Sequence, residues 1–300
     1  MSNLFQVKRK KGGWLASHIA IWTEGSTAYI SCVFSWDLVE CRKIAKYYAG
    51  LGFTVRAGGP AVAMNPGALK DVAELGGQVA ALPYHNPKAM FTSRGCIRQC
   101  PFCAVPKIEG DLVELSDWEP KPLVCDNNLL ACSTAHFDSV IDRLKAASVR
   151  GVDFNQGLDA RLLTKYHAQR ISELDLGRVR LAWDDIKLES QFMRAWQLLR
   201  GAGIPKRAIA VYVLIGFNDT PEDAEYRLRT IYDLDSFPSP MRYQPVDTKT
   251  KDAYVGKNWE DWQLRQYMRY WSNRRLAKIP FSEWLDGYRP QTQNVAQMSF

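Results

Sequence analysis

Three cysteines crowd into eight residues of this 300-residue chain, in the stretch Arg94-Gly95-Cys96-Ile97-Arg98-Gln99-Cys100-Pro101-Phe102-Cys103. Three thiols at this spacing can meet at a metal centre from a single loop. A mononuclear zinc site wants a fourth ligand, typically another Cys-x-x-Cys or a His pair. His18, His85, His136 and His167 form no such pair. A 4Fe–4S cube held by only three thiolates keeps one iron free of protein, and a small molecule can chelate that iron. Fe–S ligation spacings overlap between roles, so a zinc site, a passive electron-transfer centre and a chance loop of cysteines stay open at this level. Cys32, Cys41, Cys125 and Cys132 are dispersed and read as small buried hydrophobes. Seven cysteines is an odd number, which argues against a disulfide framework.

Polar clusters recur where predicted strands end. Asp126-Asn127-Asn128 follows a strand over 122–125, Asn155-Gln156-Gly157 follows 151–154, Asp184-Asp185 follows 179–183, and Gly216 follows 208–215. A first strand over 88–93 leads into the cysteine loop, and a last one covers 241–246. Between them lie helices with one apolar face: Phe137, Val140, Ile141 and Leu144; then Ala168, Ile171 and Leu174 after a Thr164 cap; then Phe192, Ala195, Trp196 and Leu199. Thr220-Pro221-Glu222-Asp223 is a helix start, with a capping hydroxyl, a proline at the first position and carboxylates at the positive end. Six strand–helix units joined by right-handed crossovers predict a parallel sheet. Six fall short of the eight of a closed barrel, so the expected fold is α/β, a partial (β/α)6 barrel with its chemistry at the carboxyl ends of the strands.

Ahead of this part, strands over 17–22, 28–34 and 53–56, a helix over 38–48, the turn Gly58-Gly59-Pro60, a helix over 68–75 and a strand over 78–82 predict a small Rossmann-like α/β domain. Residues 1–13 read as a loose basic arm. The expected division is 1–87, 88–250 and 251–300, the last holding a long aromatic and basic helix from Asn258 to about residue 278.

Cys-x₃-Cys-x₂-Cys with Phe102 before the third cysteine, following the first strand of the barrel-like part, resembles the radical S-adenosylmethionine superfamily over roughly residues 88–250. The resemblance implies a 4Fe–4S cluster on Cys96, Cys100 and Cys103, with S-adenosylmethionine on the fourth iron. It implies cleavage to a 5′-deoxyadenosyl radical, and a reductant such as flavodoxin or ferredoxin as partner. Phe102 matches the position beside adenine. Asp126, Asn127 and Asn128 stand where the family often has a Gly-Gly-Glu-like segment for the methionine amino group; acidic-amide variants occur in relatives with cobalamin-type N-terminal domains. An Asx turn capping the next helix is the other reading. Gln156, Asp159 and Arg161 match a segment lining the same pocket, with Arg161 suited to a carboxylate; a structural Asp159–Arg161 pair competes with that. Asp184 matches a ribose contact, or a helix cap. Ile215 and Gly216 match the fifth-strand motif that packs on adenine. Arg242-Tyr243-Gln244-Pro245 reads as substrate or adenine contact.

The N-terminal unit is similar to a degenerate cobalamin-binding domain. The Asp-x-His-x-x-Gly cobalt-ligand motif is absent, so a part in positioning substrate is expected rather than cobalamin. Only Cys32 and Cys41 lie there, against the three extra cysteines of methylthiotransferases, so no second cluster is expected.

A net charge of +7 favours polyanionic partners. A possible nucleic-acid substrate follows, as does a second class of function: a nucleic-acid-binding protein with a structural metal knuckle and no catalysis. Lys8, Arg9, Lys10, Lys11, Arg265, Arg269, Arg274 and Arg275 motivate it. In the last helix Leu264, Tyr267, Met268 and Trp271 share a face and read as core, although aromatics among basic residues also suit a single strand. Apolar runs fall short of the ~20 residues that span a bilayer, and no signal peptide is recognisable; the expected location is cytoplasmic, without membrane association.

Overall fold

A computed structural model describes residues 8–76, 81–273 and 279–288 of the chain. The first unit is built on a hairpin. Strand β1 (Ile19–Glu24) pairs antiparallel with β2 (Thr27–Cys32) across the two residues Gly25-Ser26. Helix α1 (Leu38–Gly50) then crosses over to β3 (Thr54–Gly58), parallel to β2, and β4 (Glu74–Leu75) adds at the far edge. The sheet is therefore mixed, order β1-β2-β3-β4. Ile30, Cys32, Ile44, Val55 and Leu69 form its own hydrophobic cluster.

Two expectations fail among the described residues of this unit, and a third falls mostly outside them. The helix over 68–75 is replaced by a short helix α2 (Pro60–Met64) directly after Gly59, a 3-10 turn at Pro66–Ala68, and strand β4. Pro66-Gly67 ends α2, and Glu74 and Leu75 gain strand pairing with Arg56 and Ala57. The strand over 78–82 lies mostly outside the described residues, and its end opens helix α3 (Leu82–His85) instead. The described part of the basic arm is pinned rather than loose: Arg9 donates to the carbonyls of Gly13 (2.7 Å) and His85 (2.9 Å).

The second unit holds a six-stranded parallel sheet, from β5 (Ala89–Met90) through β8 (Leu123–Val124), β9 (Val152–Phe154), β10 (Leu176–Ala182) and β11 (Ile209–Ile215) to β12 (Phe237–Arg242). Spatial order equals chain order, and β5 and β12 are the two edges. Between β5 and β8 lie the hairpin β6 (Ser93–Arg94) with β7 (Val113–Glu114) and the short helix α4 (Val105–Ile108). Helices α5 (Thr134–Ala146), α6 (Lys165–Ser172), α7 (Glu189–Gly201) and α8 (Pro221–Asp233) make the crossovers. Right-handed connections in this order set all four on one face. There Phe137, Ile141, Ile171, Phe192 and Leu228 bury against Val179, Leu181, Val211 and Val213 in one cluster. Alternation along β10 and β11 turns Arg180 and Tyr212 to the opposite face, where Arg180 forms a two-pronged pair with Asp153 (2.7 and 2.6 Å).

Thr164 and Thr220 cap their helices as expected, each accepting from the N–H three residues on. The last strand was misplaced. It covers Phe237–Arg242, because Pro238 and Pro240 read as breakers yet sit on an edge. Tyr243 N–H donates to Ile215 O, so by alternation the proline nitrogens face outward, where no ladder bond is lost. Helix α9 (Asp261–Trp271) and α10 (Phe281–Asp286) bury Leu264, Tyr267, Tyr270, Trp271 and Phe281 in the same cluster as the sheet. The core reading of that aromatic face holds, and α9 and α10 share the hydrophobic cluster of the second unit. Arg274 and Arg275 lie outside the described residues. No described helix is long and apolar enough to cross a membrane.

Candidate metal centre and its cavity

The cysteine loop starts at a glycine that no other residue replaces without strain. Gly95 has φ +73°, and a Cβ there would fall 1.9 Å from the Asp111 carbonyl oxygen. Cys96 N–H donates to Gly110 O (3.2 Å), which closes the loop on itself. Glu109 clamps it: Arg94 donates to both of its oxygens (3.0 and 2.6 Å), Gly95 N–H donates at 2.9 Å, and Asn127 Nδ2 at 2.6 Å. One carboxylate thereby ties the loop to the end of β8. From the other side α2 of the first unit packs against α4, just past Cys103.

The three cysteines are free and half-buried. They face a cavity of about 680 Å³. Its walls come from the carboxyl ends of successive strands: Asn127 and Asn128 after β8, Gln156, Asp159 and Arg161 after β9, Asp184 after β10, Leu214 and Phe217 at β11. Phe102 forms a wall with Phe217, edge to face at 5.8 Å. Burial pushes the Cys103 thiol up, and the neighbouring Cys100 and Cys96 add to it.

Asp159 is the hub of this wall. It accepts from Arg161 Nε (2.7 Å) and Nη2 (3.0 Å), from Arg98 Nε (3.1 Å), and from Asn128 Nδ2 (3.4 Å). Burial would raise its carboxyl, but Arg161 and Arg98 outweigh that and hold it below the usual carboxylate range. Asn128 Nδ2 also donates to Cys96 Sγ (3.5 Å), and so does Arg98 N–H (3.4 Å). Asn128 Oδ1 is buried with no hydrogen-bond partner. Asp184 accepts from Leu214 N–H (3.1 Å), and burial pushes its carboxyl up to about 6. Asp185 takes the capping part, accepting from Lys187 N–H (2.9 Å).

Of the residues singled out from sequence, Cys96, Cys100, Cys103, Phe102, Asn127, Asn128, Gln156, Asp159, Arg161 and Asp184 share this one cavity. Asp126, Ile215 and Gly216 do not reach it, and neither does the segment Arg242-Tyr243-Gln244-Pro245. Asp126 turns behind the wall, accepting from Thr92 N–H (2.6 Å), Thr92 Oγ1 (2.5 Å) and Ser93 N–H (2.7 Å), and so joins β8 to the strand that feeds the cysteine loop. Ile215 is fully buried on the helix side, since strand alternation presents Leu214 to the cavity instead. Gly216 packs under α9, where a Cβ would meet Leu264 at 2.8 Å. Tyr243 stands one ring behind Phe217, at 4.7 Å. Arg161 is engaged by Asp159, as the structural alternative had it, while still lining the cavity. Cys125 is buried off the cavity, its thiol pushed up to about 12 by burial.

Sequence reasoning missed Glu109 and Asp219. Asp219 accepts from Gly216 N–H (2.9 Å), Phe217 N–H (3.2 Å) and Trp259 Nε1 (3.1 Å), and pairs with the fully buried Arg227 at 2.6 Å. Arg227 also donates to Trp183 O (2.9 Å), so this pair fixes the ends of β10 and β11 together. Neither acid falls in a motif. The only local signal was an acidic residue directly before the Thr220 cap.

Among the described residues no three His, Cys, Asp or Glu side chains converge on a single ion position. Thiolates that bind separate irons of a cube have no need to converge on one point. Comparison of the chain with protein-family models and with curated proteins finds no match in either.

Proposed function

We propose that this chain is a radical S-adenosylmethionine enzyme, and that its parallel sheet is the core of a partial barrel. The observation that carries the reading is the meeting of three loop thiols with polar residues from four successive strand ends in one cavity. Cys96, Cys100 and Cys103 would hold a 4Fe–4S cluster, and three thiolates leave one iron open to a chelating ligand. Two features fit a zwitterionic partner there. The orphaned acceptor Asn128 Oδ1 lacks a donor, which an ammonium group supplies. Beside it stand Arg161 and Arg98, whose guanidiniums suit a carboxylate.

When bound, the cluster supplies the electron that splits S-adenosylmethionine into methionine and a 5′-deoxyadenosyl radical, which takes a hydrogen atom from a substrate. The chain's own residues bind and orient. Phe102 and Phe217 offer ring surface to a flat heterocycle. Asp184 and Gln156 offer acceptors to hydroxyl groups. Glu109 and the Asp219–Arg227 pair keep the wall segments in register. A small reductase such as flavodoxin or ferredoxin would deliver the electron.

The test is anaerobic reconstitution with iron and sulfide, then dithionite and S-adenosylmethionine, with 5′-deoxyadenosine measured. Its appearance from wild type and its loss in Cys100→Ala support the proposal. A cluster-loaded protein that makes none sinks it, and zinc in place of iron in anaerobically purified protein favours a structural site.

A further inference from the structure

We infer that Asp159 and Asn128 are positioning residues that set the reduction potential of the centre on Cys96, Cys100 and Cys103, and that they act in opposite directions. The inference rests on the cluster reading above and deepens it. It stands on the geometry of one network. Asp159, with 7% of its side chain exposed, holds two guanidiniums in place, one from within the cysteine loop and one from beyond β9. Arg98 follows Cys96 by two residues and sends its own N–H to Cys96 Sγ. Arg161 stands beside the Cys100 thiol. Asn128 joins the carboxylate to the sulfur, donating from one Nδ2 to Asp159 (3.4 Å) and to Cys96 Sγ (3.5 Å).

Reduction adds one negative charge to a centre already carrying thiolates. An N–H donor on a ligating sulfur favours the added charge, so it raises the potential. A carboxylate in a half-dry site disfavours it, so its charge lowers the potential, and it also spends part of the positive field of Arg98 and Arg161 on itself. Asp159→Asn removes the charge and keeps the shape. Asn128→Leu removes the donor and keeps the volume. A residue that only braces the loop gives no reason for these two changes to differ in sign.

The experiment uses the full-length chain, reconstituted anaerobically and titrated potentiometrically without S-adenosylmethionine, with the reduced cluster read by electron paramagnetic resonance. Asp159→Asn is expected to raise the ratio of reduced to oxidised cluster at a fixed potential by about tenfold, the order expected for one charge in a partly screened site. Asn128→Leu is expected to lower it. Asp142→Asn, an exposed acid on α5 that does not line the cavity, is the control and should leave it unchanged. Shifts of the same sign in the first two variants, or no shift in either, overturn the inference. Loss of the cluster from those variants while wild type holds it also overturns it, because Asp159 and Asn128 would then be braces only. A wild type that takes up no cluster fails the functional reading itself, and is seen before any titration.

Discussion

Gly95 carries the sharpest demand of any single residue at the site. Its left-handed φ and the nearby Asp111 carbonyl leave no room for a methyl group. Gly95→Ala should cost about 1–3 kcal/mol in strain and lower iron uptake on reconstitution, with stability read by denaturant melts and iron by colorimetric assay. A second residue sets a pH dependence. His85 is buried against Ser31 Oγ (2.9 Å), and burial, with help from His18 and Arg9, drops its pKa from 6.5 to about 4. Between those values the unfolded chain binds the proton that the folded one refuses. Stability is therefore full above about pH 6.5 and declines as pH falls towards 4, by up to about 3 kcal/mol. His85→Gln should flatten that part of a curve of unfolding free energy against pH, and an unchanged slope would refute the assignment. At this scale the gathering of the three cysteines at one cavity was legible because they stand within eight residues of one another. Glu109 was not, since its partners at 94, 95 and 127 meet it only once β6, β7 and β8 are in place.

Strands and helices depend on two devices that local propensity does not reveal. The first is the buried Asp219–Arg227 pair. Asp219→Ala would leave the Arg227 guanidinium uncompensated among Trp183 and the first turn of α8, at a cost of about 3–5 kcal/mol in urea denaturation. The second is the pair of prolines on β12. Replacing Pro238 and Pro240 with threonine restores two outward N–H groups on an open edge, and light scattering should show greater self-association. Helix faces and caps were legible because period and cap chemistry are local: Phe137 to Leu144 and Thr220 behave as their spacing requires. The sixth strand was not, because proline is penalised in a strand only when its nitrogen faces a partner.

Across the whole molecule, two hydrophobic clusters of unequal size share one chain. They meet through α2 on α4 and through Ser35 Oγ, which donates to Val246 O (2.5 Å) beyond β12. Opening free energy follows local buried contact, so amides of β2 should exchange faster than those of β11 by hydrogen-exchange mass spectrometry. Equal protection would mean one cooperative body. The sheet's order was legible from alternating strand and helix, whereas the contact between the first unit and the cysteine loop was not, because no motif encodes a neighbour some forty positions away.

Because spatial order along the large sheet equals chain order, it suits assembly during synthesis. Each strand leaving the ribosome finds its partner already made, and no later segment must thread between earlier ones. The thiols at 96–103 are translated early, but the wall around Phe217 and Asp219 arrives more than a hundred residues later. A nascent chain therefore carries an open thiol loop while more than a hundred further residues are added, and closes the chamber around it only as the fifth strand docks.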